Sequence, residues 1–425
     1  GGKTEAYLGL AAFTMGLRRL RQTTNPRQDA SGDGGVTVLM RYTLRLLTIQ
    51  QFQRAATLLC ACEMLRKEDP ARFGYEPFSI GLWVGGGATP NSIDQKPDPQ
   101  YGIGPGALQV LETFKPNDEP TEANPVQLRS CPWCGEQLSY TDYKVWKELK
   151  HLQIRCPNEQ CEFHGSSGDP KSGIPAYVVD EDIYLRCPTM LIGTVDKFAR
   201  LPWDDRTKAL FGRVNRRCVR HDCLAEGVDY EGKCGGRHNA SGGLPATPPP
   251  VGTLPFLPPE LIIQDELHLI TGPLGSLMGM YECAVDFLCS RIGHRPKIVA
   301  STATIRRYHD QIRALFDRQA RQFPAPGLIA GESFFAAENR SRPGRIYVGL
   351  CAPGKSMKTA AVRSLASLMH TAWRERLTRT PDALDPYWTV VYYFNSLREL
   401  GGALRLIDDD IRQRLVYLAK SDGIS

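Results

Sequence analysis

Short apolar runs alternate with longer amphipathic stretches along the first three-quarters of the chain. That rhythm predicts strands buried on both faces, separated by helices, as in a parallel sheet. Strands are expected at Val36–Met40, Phe78–Val84, Met190–Thr194, Leu261–Gln264 and Lys297–Ala300. The first helix runs to about residue 21 through Leu8, Leu10, Phe13 and Leu17, and the second covers about Thr48–Lys67 with Phe52, Ala56 and Leu59 on one stripe. Further helices are expected from Thr194 to about Phe211, at about Ser276–Ser290 and at about Arg306–Arg318. Two stretches break the rhythm: 88–187, rich in Pro, Asp and Asn, and 212–259, which ends in a Gly/Pro-rich run. After a Pro/Gly-bearing linker at 323–343, two more βα units are expected. Their strands are Arg345–Leu350 and Thr389–Phe394, and their helices are about Lys358–Thr378 and 395 to Arg414. The domain reading is one α/β domain from 1–87 and 188–322, insertions at 88–187 and 212–259, and the start of a second α/β domain at 344–425. Two βα units are too few for a complete doubly wound sheet.

The strand Leu261-Ile262-Ile263-Gln264 runs directly into Asp265-Glu266-Leu267-His268. Charges crowded at the end of a buried strand belong at its carboxyl edge, where open α/β sheets place ligands. Asp265 there suits a magnesium ion, and Glu266 can orient a water for attack on a phosphate. The chain opens Gly1-Gly2-Lys3-Thr4 at the head of a helix. Such a sequence is the tail of a phosphate-binding loop: backbone amides approach phosphate oxygens, Lys3 reaches the β/γ-phosphates, and the Thr4 hydroxyl ligates magnesium. The upstream glycine of that motif is not in this sequence, and no initiator methionine is present, so the chain reads as a piece of a longer protein. Arg41, Thr43 and Arg45 follow one strand, and Thr194 and Lys197 follow another. Both positions can present groups to a nucleic-acid backbone. The triple glycine at 85–87 reads as a turn.

Composition changes this picture in three ways. The 425 residues carry a formal charge of +6, and residues 1–60 hold eight basic side chains against three acidic ones. A basic face of this kind suits a polyanion. No apolar run approaches the roughly 20 residues of a membrane span, and no signal peptide opens the chain. Thirteen cysteines, eight of them between 131 and 234, form close pairs, which favours metal binding in a reducing cytoplasm over a disulfide scaffold.

Cys131-Pro-Trp-Cys134-Gly and Cys156-Pro-Asn-Glu-Gln-Cys161 have the spacing of a zinc ribbon. Four thiolates at Cys131, Cys134, Cys156 and Cys161 would close a structural Zn²⁺ site. His164 is near enough to substitute. A second, less regular set is Cys218, Cys223, Cys234 and His238, with His221 able to replace His238.

Taken in order, Gly1–Thr4, Arg41–Gln51, Thr194–Lys197, Asp265–His268, Ser301-Thr302-Ala303-Thr304 and Val390–Leu397 resemble the successive motifs of a superfamily 2 helicase of the DExH type. The stretches Gly-Gly-Lys-Thr-Glu-Ala-Tyr, Arg-Tyr-Thr-Leu-Arg-Leu-Leu-Thr-x-Gln-Gln and Gly-Thr-Val-Asp-Lys, together with the cysteine-bearing insertions, are similar to the helicase-subunit family of the bacterial DISARM anti-phage system. The resemblance implies a RecA-like parallel-sheet core with zinc-binding insertions and the start of a second RecA-like domain. It implies ATP and Mg²⁺ as cofactors, ATP-driven action on DNA with a single-stranded region, a companion subunit DrmB and a cytoplasmic location. Lys3, Asp265 and Glu266 would be catalytic, Gly1, Gly2, Lys3, Thr4, Asp265, Glu266 and His268 would bind ATP and magnesium, and Ser301, Thr302, Ala303 and Thr304 would couple that site to the second domain. Motifs V and VI are absent from these residues, so the fragment alone is expected to be nearly inactive. The rival reading is a DNA-binding scaffold or clamp whose zinc modules recruit a partner. A zinc nuclease or deaminase is a third reading, disfavoured because four sulfur ligands leave no open position.

Overall fold

Side chains alternate between the two faces of a strand, so a strand covered on both sides must be apolar at every position. The computed structural model describes residues 2–115, 122–166, 168–228, 234–293, 295–302, 308–325, 327–329, 331–339, 341, 344, 346–394 and 396–423. Its strands, in chain order, are β1 (Val38–Tyr42), β2 (Ile80–Trp83), β3 (Tyr143–Trp146), β4 (His151–Ile154), β5 (Ala176–Tyr177), β6 (Met190–Thr194), β7 (Val214–Cys218), β8 (Asp222–Ala225), β9 (Val251–Gly252), β10 (Leu261–Gln264) and β11 (Lys297–Ala300). Six of them form one parallel sheet in the order β11-β10-β1-β6-β2-β5. Leu261 of β10 stands level with Val38 of β1 and Lys297 of β11.

The helices of the first compact unit, Gly1–Arg321, are α1 (Lys3–Thr24), α2 (Arg45–Glu68), α3 (Pro70–Phe73), α4 (Ala107–Thr113), α5 (Asp180–Arg186), α6 (Gly272–Ser290) and α7 (Tyr308–Phe316). One sheet face, carrying Val38, Met40, Ile192, Leu261 and Ile263, packs on Tyr7, Ala11 and Met15 of α1 and on Phe52, Ala56 and Leu59 of α2. The other face, carrying Leu39, Leu191 and Ile262, packs on Phe198, Leu210, Phe211 and on Val285 and Cys289 of α6. Between 195 and 211 the expected single helix is replaced by two 3-10 stretches, Val195–Trp203 and Asp205–Phe211. Pro202 lies inside the first, where it removes a backbone donor. The 88–187 insertion holds the antiparallel hairpin β3–β4, and 212–259 holds the small sheet β8-β7-β9.

Three of the eight basic residues of the first segment do not join the expected basic face, while Lys3, Arg21, Arg27, Arg45 and Arg54 stay exposed or partly so. Arg18, Arg19 and Arg41 are buried, at 1%, 2% and 0% exposure. Arg18 donates to the carbonyls of Val36, Pro258, Gly34 and Leu257, and so ties α1 to the loops entering β1 and β10. Arg19 pairs with Asp33. Arg41 pairs with Glu282 of α6, itself buried, and its guanidinium lies 5.2 Å from the centre of the Phe198 ring. Removing one partner of a buried ion pair leaves the other charge without compensation, at a cost of about 3–5 kcal/mol. Arg41→Ala is therefore expected to lower unfolding stability by that amount in chemical denaturation, with Arg41→Ala/Glu282→Leu recovering much of the loss.

The second compact unit, Gln322–Ser425, is helical among the described residues: α8 (Met357–Glu375), α9 (Pro381–Trp388), α10 (Leu397–Leu406), a π-turn at Ile407–Ile411 and α11 (Arg412–Ser421). His370 of α8 bonds the Asp422 carboxylate at 2.9 Å. The expected strands at 345–350 and 389–394 do not form among the described residues. Ile346, Tyr347, Val348, Val391 and Tyr393 are exposed instead. A strand is stable only when its backbone groups are paired, and no neighbouring strand pairs these two segments among the described residues.

Candidate functional site

The carboxyl ends of β1, β6, β10 and β11 meet along one edge of the sheet. At the end of β10 the Asp265 amide donates to the Arg41 carbonyl at 2.9 Å, and the Asp265 carboxylate accepts from the Ser301 hydroxyl. Glu266 turns the chain through a left-handed conformation, φ 50°, which is sparsely populated by side chains other than glycine and asparagine. A 3-10 turn at Leu267–Leu269 follows. His268 Nδ1 then stands 3.3 Å from Glu266 Oε2 and 3.4 Å from Thr302 Oγ1. Two backbone bonds, Ser301 N–H to the Gln264 carbonyl (3.0 Å) and Leu267 N–H to the Ser301 carbonyl (2.9 Å), lock the two strand ends together. Ala303 and Thr304 lie outside the described residues, as does Gly1.

Helix α1 starts at Lys3, directly after Gly2 in the left-handed region at φ 86°. One turn further on, Tyr7 is buried in the core that holds Ile263 of β10. Burial, together with the charges of Asp265 and Glu266, raises its pKa, while Ser301 opposes the shift. The neighbouring Tyr42 hydroxyl is raised as well, by burial first and then by Asp265. Tyr7 of α1 and Ile263 of β10 share one core, which brings this part of α1 close to the acidic strand end. Lys3 is exposed and Thr4 partly so.

The residues expected on a nucleic-acid backbone divide into two groups. Arg45 is exposed, and its guanidinium lies within 4 Å of where side chains on Gly85 and Gly87 would project. Thr43 has a buried hydroxyl with no partner among the described residues. Arg41, Thr194 and Lys197 are buried. Arg41 is committed to Glu282, and Lys197 to Asp180 at 2.5 Å and to the Val84 carbonyl at 2.9 Å. Thr194 does not cap the stretch that follows it. Arg41 is thus turned toward α6 and Lys197 toward α5.

Among the described residues, two sets of side chains that could hold a metal ion converge. Cys131, Cys134, Cys156 and Cys161 bring their sulfurs within 4.8 Å of one another. Cys131 and Cys161 are 3.8 Å apart, and Cys134 and Cys156 3.5 Å. Thiolates about 2.3 Å from a tetrahedral zinc stand about 3.8 Å apart, so the cluster has the size of a zinc site. For Cys134, burial raises the pKa, but hydrogen bonds from the Glu136 backbone and from the other three thiols outweigh it and bring the value down to about 7. His164 is not in the set; its Nδ1 meets the Cys156 carbonyl at 2.9 Å.

The second set is Cys218, His221, Cys234 and His238. It includes His221 and leaves out Cys223, which the sequence reading placed in the site. His221 Nδ1 is 2.7 Å from the Cys234 sulfur, and His238 Nε2 is 3.2 Å from that of Cys218. Cys223 sits in β8 with its thiol against Cys187, and this contact and burial raise its pKa well above the usual range. Spacing cannot show which way a strand residue points. His221 occupies the turn between β7 and β8 and can swing inward, whereas Cys223 is fixed by the pleat. Cys223→Ser is accordingly expected to leave metal content unchanged on elemental analysis, and loss of one equivalent would restore Cys223 as a ligand.

Beside this second set lies a cavity of about 1390 Å³, lined in part by Lys150, Glu181, Trp203, Arg206, His221 and Cys234. Among the described residues no helix is long and apolar enough to cross a membrane.

No family model matches the chain. A protein described as DISARM protein DrmA, from Bacillus paralicheniformis, is 43% identical over 438 aligned residues. The alignment takes in 99% of this chain and 36% of that protein, so the chain spans about a third of its relative's length. Along nearly its whole length, then, the chain is similar to a segment of the DISARM protein DrmA.

Proposed function

We propose that this chain is the nucleotide-binding part of an ATP-dependent DNA translocase or helicase that acts in bacterial anti-phage defence. The observation that supports the reading is the packing of Tyr7, one turn into α1, in the same core as Ile263, two residues before Asp265 at the carboxyl end of β10. A helix N-terminus beside a carboxylate pair at the carboxyl edge of a parallel sheet suits a phosphate–magnesium group. In this reading the first unit is a RecA-like domain. Gly2 and Lys3 would cradle phosphate, and Thr4 and Asp265 would hold Mg²⁺. Glu266 would position the attacking water. His268, with Ser301 and Thr302, would carry the state of the γ-phosphate to a second domain. ATP supplies the phosphoanhydride bond whose hydrolysis drives movement.

DNA contact in this reading rests on Arg45 and the backbone of Gly85–Gly87. It does not rest on Arg41, Thr194 or Lys197 while those remain in their internal contacts. Such contacts address phosphate and not sequence, so binding weakens steeply with salt. Similarity to the DISARM protein DrmA supports the defence role and a companion subunit such as DrmB, and the place of work would be the bacterial cytoplasm. A specific observation favours a second reading, a DNA-binding clamp with weak strand separation: four of the five expected backbone contacts turn their charge or hydroxyl inward, and two Cys/His clusters that could hold a metal are built into the described residues of the first unit. ATPase of the intact protein with and without single-stranded DNA separates the two. The motor reading expects stimulation by DNA, and a protein that binds DNA with no ATP turnover would be the clamp.

A further inference from the structure

The second metal cluster touches more than its own loop. His221 turns Nδ1 toward Cys234 and Cys218, at 2.7 and 3.7 Å. Its other nitrogen, Nε2, lies 3.1 Å from the carbonyl oxygen of Glu148, in the turn joining β3 to β4 of the ribbon insertion. A metal on Nδ1 fixes the tautomer with its proton on Nε2, and that proton then points at the Glu148 carbonyl. The Glu148 carboxylate accepts from the Ser241 hydroxyl at 3.0 Å. A side chain on Gly242, at φ +57°, would come within 2.7 Å of Glu148 Cγ, so the backbone of the second insertion is closed tightly on this residue. Ser241 is in turn oriented by Arg220, 5% exposed, which donates to the Ser241 hydroxyl (3.1 Å) and to the carbonyls of Asn239 (2.5 Å) and Pro245 (3.0 Å). From the opposite side, Arg186 of α5 donates to the Leu149 carbonyl at 3.0 Å.

We propose that the second metal centre is a cross-brace between the two insertions. By holding the His221 Nε2–H on the Glu148 carbonyl, it fixes the β3–β4 hairpin against the 212–259 module. It thereby sets the wall of the 1390 Å³ cavity that Lys150, His221 and Cys234 share. A metal that only closed its own loop would need no donor aimed outside that loop. The brace rests on the metal reading of the cluster, and the test separates the two.

Hydrogen–deuterium exchange of residues 143–154 in the full-length protein, beside zinc analysis, reads the brace directly. His221→Cys keeps four ligands but has no Nε2–H. It is expected to retain zinc while hairpin amides exchange about tenfold faster, the effect of losing one hydrogen bond. His238→Cys keeps both metal and donor and is expected to exchange as the wild type. His238→Ala is expected to lose one zinc equivalent and loosen the hairpin as His221→Cys does. Wild-type exchange in zinc-loaded His221→Cys, or in zinc-depleted His238→Ala, overturns the brace. Should His221→Cys lose its zinc, the His238→Ala result decides alone, because His221 is still present there. A wild-type protein with only one zinc equivalent overturns the metal reading, and the brace with it.

Discussion

Glu266→Gln in the intact protein is expected to lower ATP turnover by at least about 10²-fold, the range associated with losing a positioned acid–base group. Nucleotide binding is expected to stay near wild type. The side chain keeps its shape and loses only its charge, and the groups assigned to phosphate and magnesium lie elsewhere, on Lys3, Thr4 and Asp265. The Glu266 carboxylate stands 3.3 Å from His268 on a residue already held in the left-handed region, so it is aimed by the backbone. Steady-state phosphate release and fluorescent-nucleotide titration measure the two quantities. Unchanged turnover would remove Glu266 from the chemistry, and lost binding would move it into the nucleotide cradle.

The second large effect is structural. Cys156→Ser is expected to release one zinc equivalent and to unfold the ribbon insertion. Cys156 is fully buried, and its neighbours Cys131 and Cys161 pack with Leu152, Ile154, Phe163 and Ile174 into the same core as Met40 and Ile192 of the main sheet. A structural zinc contributes about 10 kcal/mol or more of apparent binding energy, which exceeds the net stability of many domains. Loss of this site should therefore reach the sheet. Elemental analysis and thermal unfolding check the prediction: a zinc-free variant with wild-type melting would show that the cluster carries no folding energy.

Much of the first unit was legible because a parallel sheet writes itself as continuous apolar runs. Val36–Met40, Met190–Thr194 and Leu261–Gln264 could be read that way, and so could the acidic strand end. What stayed hidden depends on partners distant in sequence. Arg41 looked like a phosphate contact at a strand end; its partner Glu282 lies 241 residues away. Lys197 looked similar until Asp180 took its charge. The apolar runs at 345–350 and 389–394 have strand composition, but composition cannot say whether a neighbouring strand exists to pair with them. His221 was visible as a spare ligand, yet only the turn between β7 and β8 shows that it, and not Cys223, faces the cluster.

The sheet order carries a consequence for the time course of synthesis. β1 has its neighbours β6 and β10 about 150 and 220 residues downstream in the chain, with the first cysteine-bearing insertion before β6 and the second between β6 and β10. The centre of the sheet thus cannot close until the ribosome has passed Gln264. Cys131 to Cys161, by contrast, is a short loop whose closure costs little entropy. If the ribbon holds a metal, it would thus capture it early and draw the flanking segments together before their strand partners emerge. Metal supply during translation, not only in the finished protein, would then govern how much of the chain reaches the native sheet.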